Sequence, residues 1–491
     1  KVNINSLQAE EGRGIDIRDL KTEFSYSPTK MNLDSFLLKT PYSKLEGSIE
    51  MNYTLQDFSD FLNKVQFNAS FKDSNISTND LVNFYEPFGS NQNIQLTADL
   101  EGTLNNFNLK NIDFKGMDRS RIDGFINLKG AFSEEMNDFV LTGDFNSLAS
   151  NYYDLVNLLP TILKDKLPLT LREFGNLSLS GKMIVTKNSL DADVLINTQL
   201  GSAKAFFVMN NISNSENVSY KGNLVFNQFN IGRLLDNKDL GKTSLNLNIN
   251  GSGFTQESLN TQIRGKISRL NFKNYTYSDI SILGTVRNSV FNGNFNSNDP
   301  NFKLEFNGLV DISKKVNVYD FQASIAYADL NELNLITRDS ISVLKGDILI
   351  NMQGNTLDNV AGKVLLLNTS YQNQNDLYYF DDLEVNSTFD AEGVRTIAVN
   401  SPDVINGQVV GKFKVSEVGA LITNSIGSIY TNYRPNVITT DQYLEFDFDI
   451  YNKIVEVFFP EVALAPNTYI RGRIESDESE FKLTFKSPKI E

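Results

Sequence analysis

The 491-residue chain contains no histidine, no cysteine and no tryptophan. Without histidine it has no side chain that ordinarily titrates near neutral pH as a general base. Without cysteine it has no thiolate nucleophile, no disulfide and no thiolate ligand for zinc. Carboxylates, lysines, tyrosines and hydroxyls are left for chemistry, so the composition argues against an enzyme, and no cofactor is expected. The lack of cysteine also leans towards an exported setting.

Clustered positive charge is missing as well. Lys and Arg number 45 against 60 Asp and Glu, a net charge of −15, and no basic run occurs. Phosphate backbones demand such runs, so no nucleic acid partner is expected. No stretch approaches the roughly 18 consecutive apolar residues of a membrane helix. The most apolar window, residues 155–169, is interrupted by Pro160, Lys164, Asp165 and Pro168. The first twenty residues alternate polar and apolar and lack the basic and apolar regions of a signal peptide. The chain opens and closes in mid-pattern, as expected of a central fragment whose membrane anchor lies elsewhere.

What the sequence has in abundance is alternation. A strand with one buried face alternates apolar and polar side chains, whereas a helix repeats every 3.6 residues. IQLTADL at 94–100, LSL at 177–179, LNLNI at 245–249, FKLEF at 302–306, ILINM at 348–352 and FDFDI at 446–450 all alternate. Helical spacing is confined to short inserts at 79–85, 148–163, 231–235 and 418–430. Glycine commonly stands near the ends of the alternating runs, at Gly47, Gly102, Gly124, Gly143, Gly181, Gly222, Gly251, Gly265, Gly308, Gly362, Gly411 and Gly472. These positions predict turns or bulges between strands.

The pattern also repeats. DLVN at 80–83 recurs at 154–157, with Phe71 and Phe145 in matching places, and 226–231 (FNQFNI) matches 327–332 (YADLNE). Downstream of that pair, Leu259 and Gly265 answer to Leu357 and Gly362, and Asp299-Pro300 answers to Ser401-Pro402. A loose period of roughly 75 to 100 residues implies stacked copies of one supersecondary unit. The landmarks divide the chain at 1–46, 47–123, 124–221, 222–325, 326–415 and 416–491, together one continuous domain.

Possible sites are few. The carboxylate pairs Asp191/Asp193, Asp381/Asp382 and Asp447/Asp449 lack the glycine placement of calcium loops and are expected on solvated strand faces. Gly12-Arg-Gly14 and Gly251-Ser-Gly253 lack the third glycine and helix of a nucleotide site and are expected in turns. The apolar faces are unusually aromatic, with 35 Phe and 19 Tyr. In a closed sandwich such faces fill a core; in an open, gutter-like sheet they line a trough. A long repeat favours the second.

The chain resembles the AsmA-like superfamily of bacterial envelope proteins, and most closely its TamB branch. The stretch 222–411 carries the likeness: LNLNING at 245–251, SLN at 258–260 leading to GKI at 265–267, and YTY at 275–277. After these come Phe291, Asp299-Pro300, the strand 302–308, FQASI at 321–325 and ADLN at 328–331. The resemblance implies an elongated antiparallel sheet curled like a taco around an apolar interior. It also implies location in the periplasm of a Gram-negative bacterium and an inner-membrane anchor outside this stretch. The implied partners are phospholipid acyl chains and an outer-membrane barrel of the Omp85 type, TamA-like. The family is linked both to phospholipid movement between the membranes and to assembly of outer-membrane proteins. It has no catalytic residues to carry over. Expected lining positions are Leu96, Leu179, Leu247, Ile249, Leu304, Phe306, Ile348, Ile350, Phe446 and Phe448. A conduit for lipid is the leading expectation and a scaffold for nascent barrels the second. A glycan-binding array, the third, is disfavoured by the missing tryptophan.

Overall fold

The computed structural model describes all residues except 13, 84, 85, 87, 131–136, 159, 161–166, 168, 314, 429–431 and 477–480. The protein is all-β and antiparallel, with 28 strands and a few short helices among the described residues. It divides into two compact units, Lys1–Ser258 and Leu259–Glu491.

In the first unit, fourteen strands run from Val2–Glu11 to Leu240–Ser252, and each pairs antiparallel with the next. The second unit is a meander of the same kind from Asn260–Phe272 to Phe481–Lys486. Its one branch is at Ala361–Gln372, which pairs at one end with Leu377–Tyr379 and along its middle with Leu383–Phe389. Neither meander returns to pair its last strand with its first, so neither sheet is closed.

The protein exposes more surface than closed globules of its mass. The accessible surface is 28194 Å², whereas two compact globules of half the 55.2 kDa mass would together expose about 22,000 Å². The surplus belongs to sheets that keep a face uncovered. That face is not flat: along strands such as Leu240–Ser252 and Phe302–Asp311, apolar side chains are half-buried while the polar ones between them are exposed. With extensive strand contacts confined to neighbours within each sheet, this asymmetry means that the sheet curls around its apolar side.

The helices sit where strands end. In the first unit, α1 (Phe61–Lys64) precedes the fifth strand, and α2 (Thr78–Leu81), α3 (Tyr152–Leu158) and α4 (Ile231–Leu234) follow the fifth, ninth and thirteenth. Alternate strands of a meander run the same way, so α2, α3 and α4 share one rim of the sheet. Each is started by a polar side chain at the strand's last residue. The Ser77 hydroxyl accepts from the Asn79 N–H at 3.3 Å, the Asn151 side chain from the Asp154 N–H at 2.9 Å, and the Asn230 side chain from the Arg233 N–H at 3.0 Å. Such caps satisfy amide groups that the last ladder hydrogen bond leaves behind. The recurrence of DLVN is therefore a four-strand spacing of rim helices. In the second unit, α5 (Val418–Gly427) and α6 (Asn452–Phe458) complete the set.

Four expectations need correction. The insert expected at 148–163 begins later, because 148–151 still belong to the strand Val140–Asn151, whose residues pair across with Ile122 and Leu179. The insert expected at 79–85 is a single turn ending at Leu81, with 84 and 85 outside the described residues; that at 418–430 ends at Gly427, with 429 and 430 likewise outside. Most of the glycines expected in turns lie inside strands, opposite bulky partners on the apolar face. Gly222 pairs with Phe207 and Ile249, Gly308 with Phe321, Gly411 with Leu444, and Gly472 with Phe446 and Leu483. Gly181 shows why: its φ is +123°, and a Cβ there would stand 2.2 Å from the Asp193 carbonyl oxygen. Bulges do flank Gly47, Gly124 and Gly181, as expected.

Candidate apolar trough

Residues directly opposite one another in an antiparallel ladder project to the same face. Following the register strand by strand in the first unit traces one row across all fourteen strands. It runs Val2, Phe24, Leu33, Ile49, Ala69, Leu100, Leu109, Ile126, Gly143, Met183, Ala192, Phe207, Gly222, Ile249. Every member is apolar or glycine. A second row beside it runs Leu96, Phe114, Ile122, Leu148, Leu179, Ile196, Ala203, Phe226, Leu245, again without a polar side chain.

The second unit repeats the arrangement. One row runs Ile263, Gly284, Gly293, Gly308, Phe321, Ile350, Val364, Val385, Val399, Gly407, Phe448, Ile470, Phe485. Another runs Gly265, Ile282, Phe295, Phe306, Ala323, Ile348, Leu366, Leu383. Rings from neighbouring strands touch along this floor: Phe306 lies 6.3 Å from Phe291 and 4.9 Å from Phe321, centroid to centroid.

Among the described residues no cluster of three or more Asp and Glu is placed to hold a metal ion, and the ten expected lining residues divide between the two floors. In the first unit, Leu96 and Leu179 stand in one row; Ile249 stands in the other, and Leu247, two residues away, shares its face. In the second unit, Phe306 and Ile348 share a row, Ile350 and Phe448 share the other, and Leu304 and Phe446 alternate in step with them. All ten are half-buried. Among the described residues no second layer of strands covers them, in keeping with their partial burial.

No family model, curated protein or solved structure matches this chain. The geometry of the faces therefore carries the functional argument alone.

The opposite faces are mainly polar, interrupted by exposed apolar residues such as Leu195, Phe206 and Leu283. Asp191, Asp193, Asp447 and Asp449 are exposed there, as their spacing predicts, and Asp447 pairs with Arg471 at 2.6 Å. Lys110–Glu101 (2.6 Å) and Lys363–Glu384 (2.9 Å) are further cross-strand pairs. Exposed pairs of this kind stabilise little, and their effect is to keep the outer surface solvated.

Two kinds of residue in the trough escape a search for bulky side chains. Small residues make room for rings: Ala192 stands opposite Phe207 of the next strand, and a Cβ on Gly143 would meet the ring of Phe145, two residues along the same strand, at 2.2 Å. Buried carboxylates at the rim tie loops together. Asp299 accepts from the Tyr275 hydroxyl at 2.6 Å and from the Ser278 hydroxyl and N–H at 2.7 and 2.8 Å. Burial pushes the Asp299 carboxyl up, but these donors outweigh it and leave its pKa below the ordinary value.

Proposed function

We propose that the protein is a periplasmic β-trough of TamB type that conducts phospholipid between the inner and outer membranes of a Gram-negative bacterium, acyl chains on the apolar floor and headgroups in water. The observation that supports this reading is the row from Val2 to Ile249: fourteen consecutive strands each contribute one residue to a row without a polar side chain, and among the described residues no second layer of strands covers it. Covering such a floor with acyl chain gains about 0.8 kcal/mol per methylene removed from water. A continuous floor lets the chain slide without crossing a polar barrier. The protein then works as a surface, with no chemical step and no cofactor, and direction is left to partners at either membrane, an inner-membrane anchor and an Omp85-type barrel.

A second reading is favoured by one observation. The strand Phe481–Lys486 pairs on one side with Thr468–Glu475 and carries exposed Leu483 and Phe485. An edge strand of this kind accepts another strand by β-augmentation, as a scaffold for nascent outer-membrane barrels requires.

Native mass spectrometry of the protein purified under mild conditions separates the two. Several phospholipids per chain, lost when Leu247→Asp and Phe306→Asp place a charge on each floor of a folded protein, is the outcome a conduit requires. A folded, lipid-free wild type would leave the scaffold.

A further inference from the structure

Within the second unit, one cleft of about 440 Å³ is lined by apolar surface: Leu330, Leu344, Phe380, Val457 and Phe458 form most of its wall. Its volume lies in the range of sites that take a single small ligand. Leu344 belongs to the strand Val343–Gln353 and alternates in step with Ile348 and Ile350, so the cleft opens on the same face as the trough floor. Its far wall is α6, held over the strand ends by Val457 against Tyr371 and Tyr378.

One cation, Arg338, lines the cleft and a second, Lys453, immediately precedes the lining residue Ile454; each lies over a ring of the wall. The Arg338 guanidinium lies 4.6 Å from the Phe458 centroid and the Lys453 ammonium 6.0 Å from the Phe380 centroid. Each has a carboxylate partner, Asp339 and Asp403 respectively, and in both pairs the carboxylate is the more hidden group. Arg338 is 43% exposed against 4% for Asp339, and Lys453 36% against 16% for Asp403. Asp339 is further engaged by the Tyr371 hydroxyl. In each pair the cation is thus the group that faces solvent, although the exposed Asp381 and Asp382 follow Phe380 and the Asp381 N–H donates to Asp403.

We infer that this cleft is a side port of the trough that holds one acyl chain of an anionic phospholipid, with the headgroup phosphate seated between Arg338 and Lys453. The inference rests on the lipid-trough reading and adds to it a fixed position where a lipid enters or leaves the floor. Guanidinium and ammonium groups on aromatic faces, beside an apolar slot, match a phosphate ester joined to a hydrocarbon chain.

The test is native mass spectrometry and fluorescence titration of the full chain with tail-labelled phosphatidylglycerol, and with diacylglycerol carrying the same tails. Filling the cleft from the helix side with Ile454→Trp, or from the sheet side with Leu344→Phe, is expected to remove one bound lipid per chain and leave the remainder. Arg338→Gln combined with Lys453→Gln is expected to weaken phosphatidylglycerol binding at that site about tenfold, the loss of a charge-assisted contact, and to leave diacylglycerol unchanged. Arg338→Lys should retain most of the affinity. An unchanged lipid count in both filled variants, each folded by circular dichroism, overturns the port while sparing the trough. Absence of lipid from the wild type overturns both.

Discussion

The Ser120 hydroxyl donates to the Asp154 carboxylate at 2.9 Å, and the Arg119 N–H donates to the same oxygen at 2.8 Å. Asp154 lies in α3, after the ninth strand, and Ser120 begins the eighth, so the contact ties a rim helix to the preceding turn on that rim. The equivalent residue one repeat earlier, Asp80 in α2, accepts from Thr40 at 2.6 Å and from Ser43, at the turn before the fourth strand. The repeat is thus built around a carboxylate latch. Asp154 is 3% exposed, and its replacement removes the acceptor of the Arg119 N–H and leaves the Ser120 hydroxyl only its contact with Ser150. Asp154→Ala is expected to cost about 1 to 3 kcal/mol in urea unfolding, and Asp80→Ala a similar amount. A loss below about 0.5 kcal/mol for both, within the scatter of ordinary surface changes, would show that the latch is ornamental.

Much of this was legible in the sequence. Alternation identified the strands because a period of two is hard to counterfeit over ten residues, and the chosen lining residues share faces because they were picked in step with it. The latch was visible as DLVN, although its meaning needed the register. Helix α6 was not legible: Ile454, Val455 and Val457 favour strands intrinsically, and packing of Val457 against Tyr371 and Tyr378 overrides that preference. The glycines were misjudged because a turn and a ring-bearing cross-strand pair both demand a missing Cβ, and composition does not distinguish them.

A ring on the same strand excludes a Cβ at Gly143. A Cβ there would stand 2.2 Å from Cε2 of Phe145, a ring only 4% exposed. Gly143→Ala should destabilise by about 1 to 3 kcal/mol through overpacking. Phe145→Leu on the same chain should return part of that loss, so a double-mutant cycle is expected to show favourable coupling. Strict additivity of the two changes would mean that the ring is not what excludes the methyl group.

The loop beside α5 is sensitive to acid. The Thr439 N–H donates to the Glu417 carboxylate at 2.7 Å, and the Thr439 hydroxyl and Gln442 amide add to it at 3.0 and 2.7 Å. Together they outweigh its partial desolvation and hold its pKa down to about 2. Because the folded value is depressed, the stabilisation is present above the ordinary carboxylate range and is lost as pH falls from about 4.5 towards 2. Amide exchange at Thr439 should stay protected at pH 6 and accelerate below pH 4 beyond the intrinsic rate, and Glu417→Gln should abolish that pH dependence. Protection unchanged down to pH 2.5 would contradict the assignment.

Cross-strand pairing of Gly222 with Ile249 places Ile249 on the apolar floor, and the alternation of the strand places Asn250 on the opposite face, where it is exposed. The two positions are adjacent in sequence and differ only in the face they serve. Ile249→Asp puts a carboxylate into a half-buried apolar row; its cost should be about 1 to 3 kcal/mol in stability, with acyl chains excluded locally. Asn250→Asp should be nearly neutral in both respects. Paired measurements of unfolding and of lipid retained per chain distinguish a lined trough from general apolar stickiness: a trough responds to the first change alone. Equal lipid loss from both substitutions would mean that net charge governs retention and that the fourteen-strand row has no special part in it.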